Sequence, residues 1–122
     1  MKLFISEHSN AAIYEQIEQQ IKDAILRQEL KAEEALPSIR GLAKELQISV
    51  ITTKRAYEEL EEQGLIYSVP GRGFFVCSRK LEILKEKKIQ DLEQRMSELI
   101  RDCKAAELTK DDIMDMLDLL YE

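Results

Sequence analysis

The stretch LPSIRGLAKELQISVITTKRAYEELEEQGLIYSVPGRGFFV, residues 36–76, decides the fold. Pro37 disfavours helix at Leu36 and punctuates the chain. Ser38 then stands where it caps a helix over about Ile39–Leu46, with Ile39, Leu42, Ala43 and Leu46 facing inward. Gln47-Ile48 breaks that pattern. Ser49 caps a further helix from Val50 to about Gln63, whose buried stripe is Thr53, Ala56, Tyr57 and Leu60, and Gly64 supplies a left-handed stop. Leu65–Val69 has strand composition, Pro70-Gly71-Arg72-Gly73 is a turn, and Phe74–Cys77 is a second strand, so a β-hairpin follows the helix pair directly. Two short helices joined by a tight turn form a helix-turn-helix, and the hairpin behind them is a wing. The fold class is mainly α with a small β-hairpin.

Upstream, Ile13, Ile17, Ile21 and Ala24/Ile25 recur at helical spacing, which predicts an amphipathic helix from Ala11 to about Gln28 with Asn10 as its cap. Leu3-Phe4-Ile5 is either a short strand or an apolar hook. Downstream, Arg79–Glu107 is rich in Glu, Lys and Leu, and Ile89, Leu92, Met96, Leu99, Cys103 and Ala106 alternate at three- and four-residue spacing as an a/d seam. Thr109 with Asp112 reads as a capping box opening a last helix, which presents Ile113, Met116, Leu117 and Leu120 on one face. Two helices with this much apolar stripe cannot bury it on each other alone. The expected architecture is therefore a winged helix-turn-helix over residues 1–78 and a two-helix dimerisation tail over 79–122. The expected seam is Ile89, Leu92, Met96, Leu99, Cys103, Ile113, Met116, Leu117 and Leu120.

The 122 residues carry 44% hydrophobic and 34% charged side chains, a composition expected of a helix-rich globular chain with one modest core. No apolar run approaches the ~20 residues that cross a bilayer, and the first residues lack the apolar stretch and cleavage site of a signal peptide. The cytoplasm is the expected location, with no membrane partner. Cys77 and Cys103 show no metal-type spacing and read as reduced thiols, and His8, the single histidine, reads as a surface residue. No metal and no cofactor are expected. A single histidine, no glycine-rich phosphate loop and no paired catalytic constellation argue against an enzyme. Asp111, Asp112 and Asp115 fit the dipole of the last helix better than a metal.

The net charge of −6 looks wrong for a nucleic-acid partner, but its distribution does not. Leu36–Lys80 holds seven basic and five acidic residues, a balance of +2 that leaves −8 for the remainder, and four of those acids crowd into Glu58–Glu62. The segment before them is basic. Free N–H groups at a helix start attract phosphate, and Ser38 and Ser49 each place a hydroxyl there. Val50 and Ile51 point away from the buried stripe, which makes sense against thymine methyl groups, while Thr52 can donate to phosphate. Lys54 reaches a base edge or the backbone, and Arg55 the backbone. Gly71, Arg72 and Gly73 present a cation on a flexible tip, suited to phosphate or a minor groove.

Ile13-Tyr14-Glu15-Gln16-Ile17, Leu36-Pro37-Ser38-Ile39-Arg40, Leu42-Ala43, Ala56-Tyr57-Glu58-Glu59-Leu60-Glu61, Gly64-Leu65-Ile66, Gly71-Arg72-Gly73 and Phe75-Val76 stand in the order and spacing of one family. Over Ile13–Val76, about half the chain, the sequence resembles the DNA-binding domain of the GntR family of regulators. The resemblance implies a homodimer on double-stranded operator DNA, a repressor acting at an inverted repeat, and a DNA contact for Arg40. Many members carry arginine where this chain has Val50 and read a guanine with it; that contact cannot exist here, which favours an A/T-containing core. The short tail looks like the YtrA branch, whose members commonly repress operons for ABC-type transport. No effector can be named. The alternative reading is a winged-helix protein-interaction module, against which the basic opening of the third helix and the Gly-Arg-Gly tip both argue.

Overall fold

The computed structural model describes all residues, Met1–Glu122. In chain order the elements are α1 (Ile13–Leu26), α2 (Ile39–Leu46), α3 (Val50–Glu62), β1 (Ile66–Val69), β2 (Gly73–Val76), α4 (Leu81–Ala105) and α5 (Lys110–Leu120). The chain divides into two compact units, Met1–Leu84 and Lys85–Glu122.

The first unit is built on the α1–α3 packing. Ile17, Ile21, Ala24 and Ile25 of α1 close against Leu42 of α2 and Ala56, Tyr57 and Leu60 of α3, with Leu65, Ile66 and Val76 entering from the hairpin. At ~25 cal/mol per Å², burying each large side chain among these is worth roughly 1.5–3 kcal/mol. Two polar groups go inward and both are satisfied. Thr53 Oγ1 donates to the Ser49 carbonyl at 3.1 Å, and Tyr57 Oη donates to the Pro37 carbonyl at 2.7 Å. The second bond ties the middle of α3 to the residue just before the α2 cap. Burial pushes the Tyr57 phenol far above its ordinary range. Phe74 meets the Tyr57 ring edge-on, with centroids 5.1 Å apart. Leu81 and Leu84, in the first turn of α4, also pack on this core.

Two expectations for the N-terminal region change. α1 begins at Ile13, two residues later than expected, with Ala12 at the cap position in place of Asn10. Glu15 Oε1 accepts the Ala12 N–H at 3.1 Å, which is the carboxylate half of a capping box, while Ala12 offers the first turn no side-chain acceptor of its own. Ile13 consequently lies at the exposed rim, 39% accessible, and the buried stripe starts at Ile17. Leu3–Ile5 is the apolar hook of the two alternatives. The Gln20 amide grips the Phe4 backbone from both sides, accepting from its N–H at 2.9 Å and donating to its carbonyl at 2.7 Å, while Leu3 and Ile5 rest on the core.

β1 and β2 pair antiparallel with Ile66 opposite Val76 and Val69 opposite Gly73. The sequence pattern did not reveal a third participant. Ala35 bridges Phe75, the Glu33 and Leu36 N–H groups donate to the Val76 and Phe74 carbonyls at 2.9 Å, and Val76 N–H returns a bond to the Glu34 carbonyl at 2.9 Å. The segment before α2 thereby covers the outer edge of the wing.

In the second unit, Thr109 caps α5, accepting from Asp112 N–H at 3.1 Å, while Asp112 accepts the Thr109 N–H at 2.8 Å. This is the capping box expected from the sequence. No side chain of α4 or α5 is fully buried. No helix of the chain is long and apolar enough to cross a membrane.

Candidate nucleic-acid interface

The two serines that open α2 and α3 do what their positions require. Ser38 Oγ accepts from Gly41 N–H at 2.9 Å, and Ser49 Oγ accepts from Thr52 N–H at 3.0 Å while donating to Thr52 Oγ1 at 2.8 Å. Each cap satisfies one free donor and leaves the remaining N–H groups of its helix start open to an anion. Gly41 is fitted to this arrangement, since a Cβ there would stand 2.8 Å from Ser38 Oγ.

On α3 the two faces separate cleanly. Thr53, Ala56, Tyr57 and Leu60 are buried, while Val50 is 45% and Ile51 81% exposed at the first turn. Lys54 is exposed and loosely paired with Glu58 at 3.8 Å, an exposed ion pair worth at most ~1 kcal/mol and easily exchanged for a phosphate. Arg55 takes a different direction, with its guanidinium carbon 3.9 Å above the Tyr14 ring of α1. Arg40, in the first turn of α2, is exposed and makes no ion pair.

The acidic end of α3 turns to structural work. Glu61 accepts from Ser68 N–H at 3.2 Å and from Ser68 Oγ at 2.9 Å, which ties β1 to the helix. At the wing tip, Arg72 N–H closes a turn on the Val69 carbonyl at 2.9 Å. Gly71 has φ +77° and Gly73 φ +106°, and neither is crowded: nothing lies within 4 Å of a Cβ placed on either. These glycines serve backbone conformation alone, and Arg72 between them is exposed. At the base of the wing Tyr67 stacks on Phe75, and its hydroxyl donates to Glu33, which also accepts from Ser78 Oγ at 3.1 Å. Those two donors, Tyr67 first, hold the Glu33 carboxyl below the ordinary glutamate range, and nearby Arg79 adds to the effect.

Sequence reading named the cap serines, the exposed start of α3 and the wing tip. It missed Tyr14 and Glu33, whose partners are distant in sequence and leave no local pattern. In the second unit Met96, Leu99, Cys103, Ile113, Met116, Leu117 and Leu120 line one apolar groove of about 200 Å³ together with Ile100. Ile89 and Leu92, earlier on α4, are exposed outside that groove.

A helix pair with its second helix presented, followed by a hairpin with a cationic tip, defines a winged helix-turn-helix DNA-binding protein. Residues 13–76 match the model of the bacterial regulatory proteins of the gntR family. The transcriptional repressor YtrA of Bacillus subtilis (strain 168) is 36% identical over 98 residues, covering 80% of this chain and 75% of its own. A GntR family transcriptional regulator from Listeria monocytogenes superposes with a TM-score of 0.75 at 29% identity, over 92% of this chain and 97% of that one. AraR(DBD), solved in complex with operator ORX1, aligns at 30% identity with a TM-score of 0.55, over 62% of this chain and 93% of that one. The chain belongs to the gntR family of bacterial regulatory proteins. It is a DNA-binding transcriptional regulator and not an enzyme.

Proposed function

We propose that this chain represses transcription by binding an inverted-repeat operator as a homodimer, with residues 1–78 reading DNA and 79–122 joining the two copies. The observation that carries the DNA half is the start of α3: a capped helix N-terminus bearing exposed Val50 and Ile51, flanked by Lys54, with Arg40 and Arg72 as free cations on α2 and the wing. Ser38, Ser49 and Thr52 bring helix ends and hydroxyls to phosphate, Arg40, Arg55 and Arg72 neutralise it, and Val50, Ile51 and Lys54 meet base edges. Gly71 and Gly73 let the tip approach closely. With valine at position 50 in place of a forked cation, the reading favours A/T steps with thymine methyls over a guanine anchor.

Support for the dimer comes from the second unit. Its groove is wholly apolar, and Leu117, Met116 and Leu99 remain 47%, 45% and 61% exposed. A continuous apolar surface of this kind on a water-soluble chain calls for a cover. A two-fold pair covers both copies at once and sets two recognition helices ~34 Å apart, one turn of DNA.

Selection from random duplex DNA, followed by footprinting on the DNA upstream of the gene, tests the reading. The expected product is a palindrome with A/T-rich half-sites about one helical turn apart. An asymmetric site, or a consensus anchored on guanine in each half, would refute the corresponding part.

A further inference from the structure

We propose that Tyr14 is a positioning residue for DNA binding: its ring carries the Arg55 guanidinium and fixes where that cation meets the phosphate backbone. The proposal rests on the DNA-binding reading above and extends it to a residue on α1, outside the recognition helix.

One residue along α3 turns a side chain by about 100°. Arg55 therefore leaves the helix well round from Lys54 and Val50, one turn on from Ile51 and on the side that meets α1. There its guanidinium carbon sits 3.9 Å from the centroid of the Tyr14 ring. The ring is itself fixed, because Tyr14 lies half-buried against the core in the first turn of α1. Arg55 is exposed and has no carboxylate within ion-pair distance, in contrast to Lys54 beside Glu58.

The lack of a carboxylate partner does not set Arg55 apart, since Arg40 and Arg72 share it; the seat on an aromatic ring does. A lone exposed arginine samples many rotamers and loses them when it grips a phosphate. An arginine held against an aromatic face has surrendered much of that freedom already, while its N–H donors stay available for a phosphate fork. Lysine could not substitute, since it lacks the planar group that stacks and bonds at once. The contact uses the ring face, so the tyrosine hydroxyl is dispensable.

The test uses a duplex enriched from a random pool by the wild-type chain, with affinities read by fluorescence anisotropy across a salt series. Y14F keeps the aromatic face and is expected to match the wild type, whereas Y14L weakens binding by roughly two- to fivefold. R55A weakens it further and lowers the salt slope by about one unit. Adding Y14L to R55A brings no further loss, and R55K retains the salt slope while losing its coupling to Tyr14. Thermal melts of the same variants report packing separately from binding.

Three results would overturn the proposal. Equal binding by Y14L would make the ring irrelevant, and tighter binding would mean that the ring sequesters the cation. A Y14L loss of the same size in the R55A background would mean that the ring acts through core packing. Failure of the wild type to enrich any duplex at low salt is a distinct result, and it would remove the DNA reading together with everything built on it.

Discussion

Two kinds of residue make the interface, and they fail in different ways. Tyr57 and Ser49 shape it from within: one bonds the Pro37 carbonyl from the core, the other closes the start of α3. Removing either loosens the scaffold, at about 1 kcal/mol for a helix cap. Arg40 and Arg72 are the opposite case, exposed side chains with no ion pair that support nothing. Arg72→Ala and Arg40→Ala are therefore expected to leave the melting temperature unchanged and to weaken DNA binding across all sequences. Each should flatten the dependence of log K on log salt by about one unit, since one phosphate contact and its released counterion are lost. Salt-titrated binding beside thermal melts checks both halves. A variant with an intact slope would free its arginine from any phosphate role. Glu33 supplies a pH-dependent counterpart at the base of the wing. Its carboxyl is held below the ordinary value near 4.5 by Tyr67 and Ser78. A depressed carboxylate adds stability above that ordinary value and loses it as pH falls through the lower folded one. Glu33→Gln should thus melt earlier than the wild type at about pH 7, with the gap closing towards about pH 3. A gap that persists in acid would assign the effect to shape instead of charge.

At the scale of elements, the starts of α2, α3 and α5 and the ends of α2 and α3 were legible, but the device that closes the helices was not. Ser38, Ser49 and Thr109 announce α2, α3 and α5 because a hydroxyl before an apolar period has one common use. The ends share a single device that only one of them spells out. After α1, α2, α3 and α4, the residues Gln28, Gln47, Gly64 and Glu107 all take positive φ, at 62°, 56°, 79° and 63°. Around each, a pair of N–H groups folds back on the last carbonyls: Ile48 to Ala43 at 3.0 Å after α2, Leu65 to Leu60 at 3.0 Å after α3, Leu108 to Cys103 at 3.0 Å after α4. Glycine is the signal for this motif, so the chain declares it at Gly64 and conceals it at two glutamines and a glutamate. The same blindness hid the Ala35–Phe75 bridge and the Tyr14–Arg55 stack, because both depend on tertiary neighbours that no local period encodes. The site itself was easier to read, being written in caps, an exposed apolar pair and a Gly-Arg-Gly turn. The concealed ends carry a prediction. Gln28→Gly removes the left-handed penalty of a Cβ, ~1–2 kcal/mol, against a glycine entropy cost of ~0.5–1 kcal/mol. A net gain of about 0.5–1 kcal/mol follows, or roughly 3–6 °C in Tm. Gly64→Ala should fall by a similar amount, since its new Cβ would also press on Lys80 Cδ at 3.2 Å. Melting curves of the two variants moving in the same direction would contradict the argument.

For the molecule as a whole, the two units divide one task between burial and charge. The first has a core of its own and is expected to stay folded whatever happens to the tail. The second has none, and its apolar groove is left uncovered. The excess acid lies outside Leu36–Lys80, so a chain of net charge −6 repels DNA except where the basic segment faces it. Weak attraction per copy makes the second copy decisive. When one half-site is engaged, a joined partner meets the other at an effective concentration in the millimolar range, which multiplies affinity by roughly 10²–10⁴ without a new contact. Leu117→Asp places a charge in the groove at a residue that is 47% exposed and outside the core of the first unit. It is expected to give single chains at micromolar concentration by sedimentation, with the melting of the first unit retained. Binding to a two-half-site duplex should drop about a hundredfold or more, while binding to a single half-site stays as it was. If the variant still sediments as a pair, the groove is not where the copies meet. If it separates yet binds the full site undiminished, each chain reads DNA independently and the operator need not be a repeat.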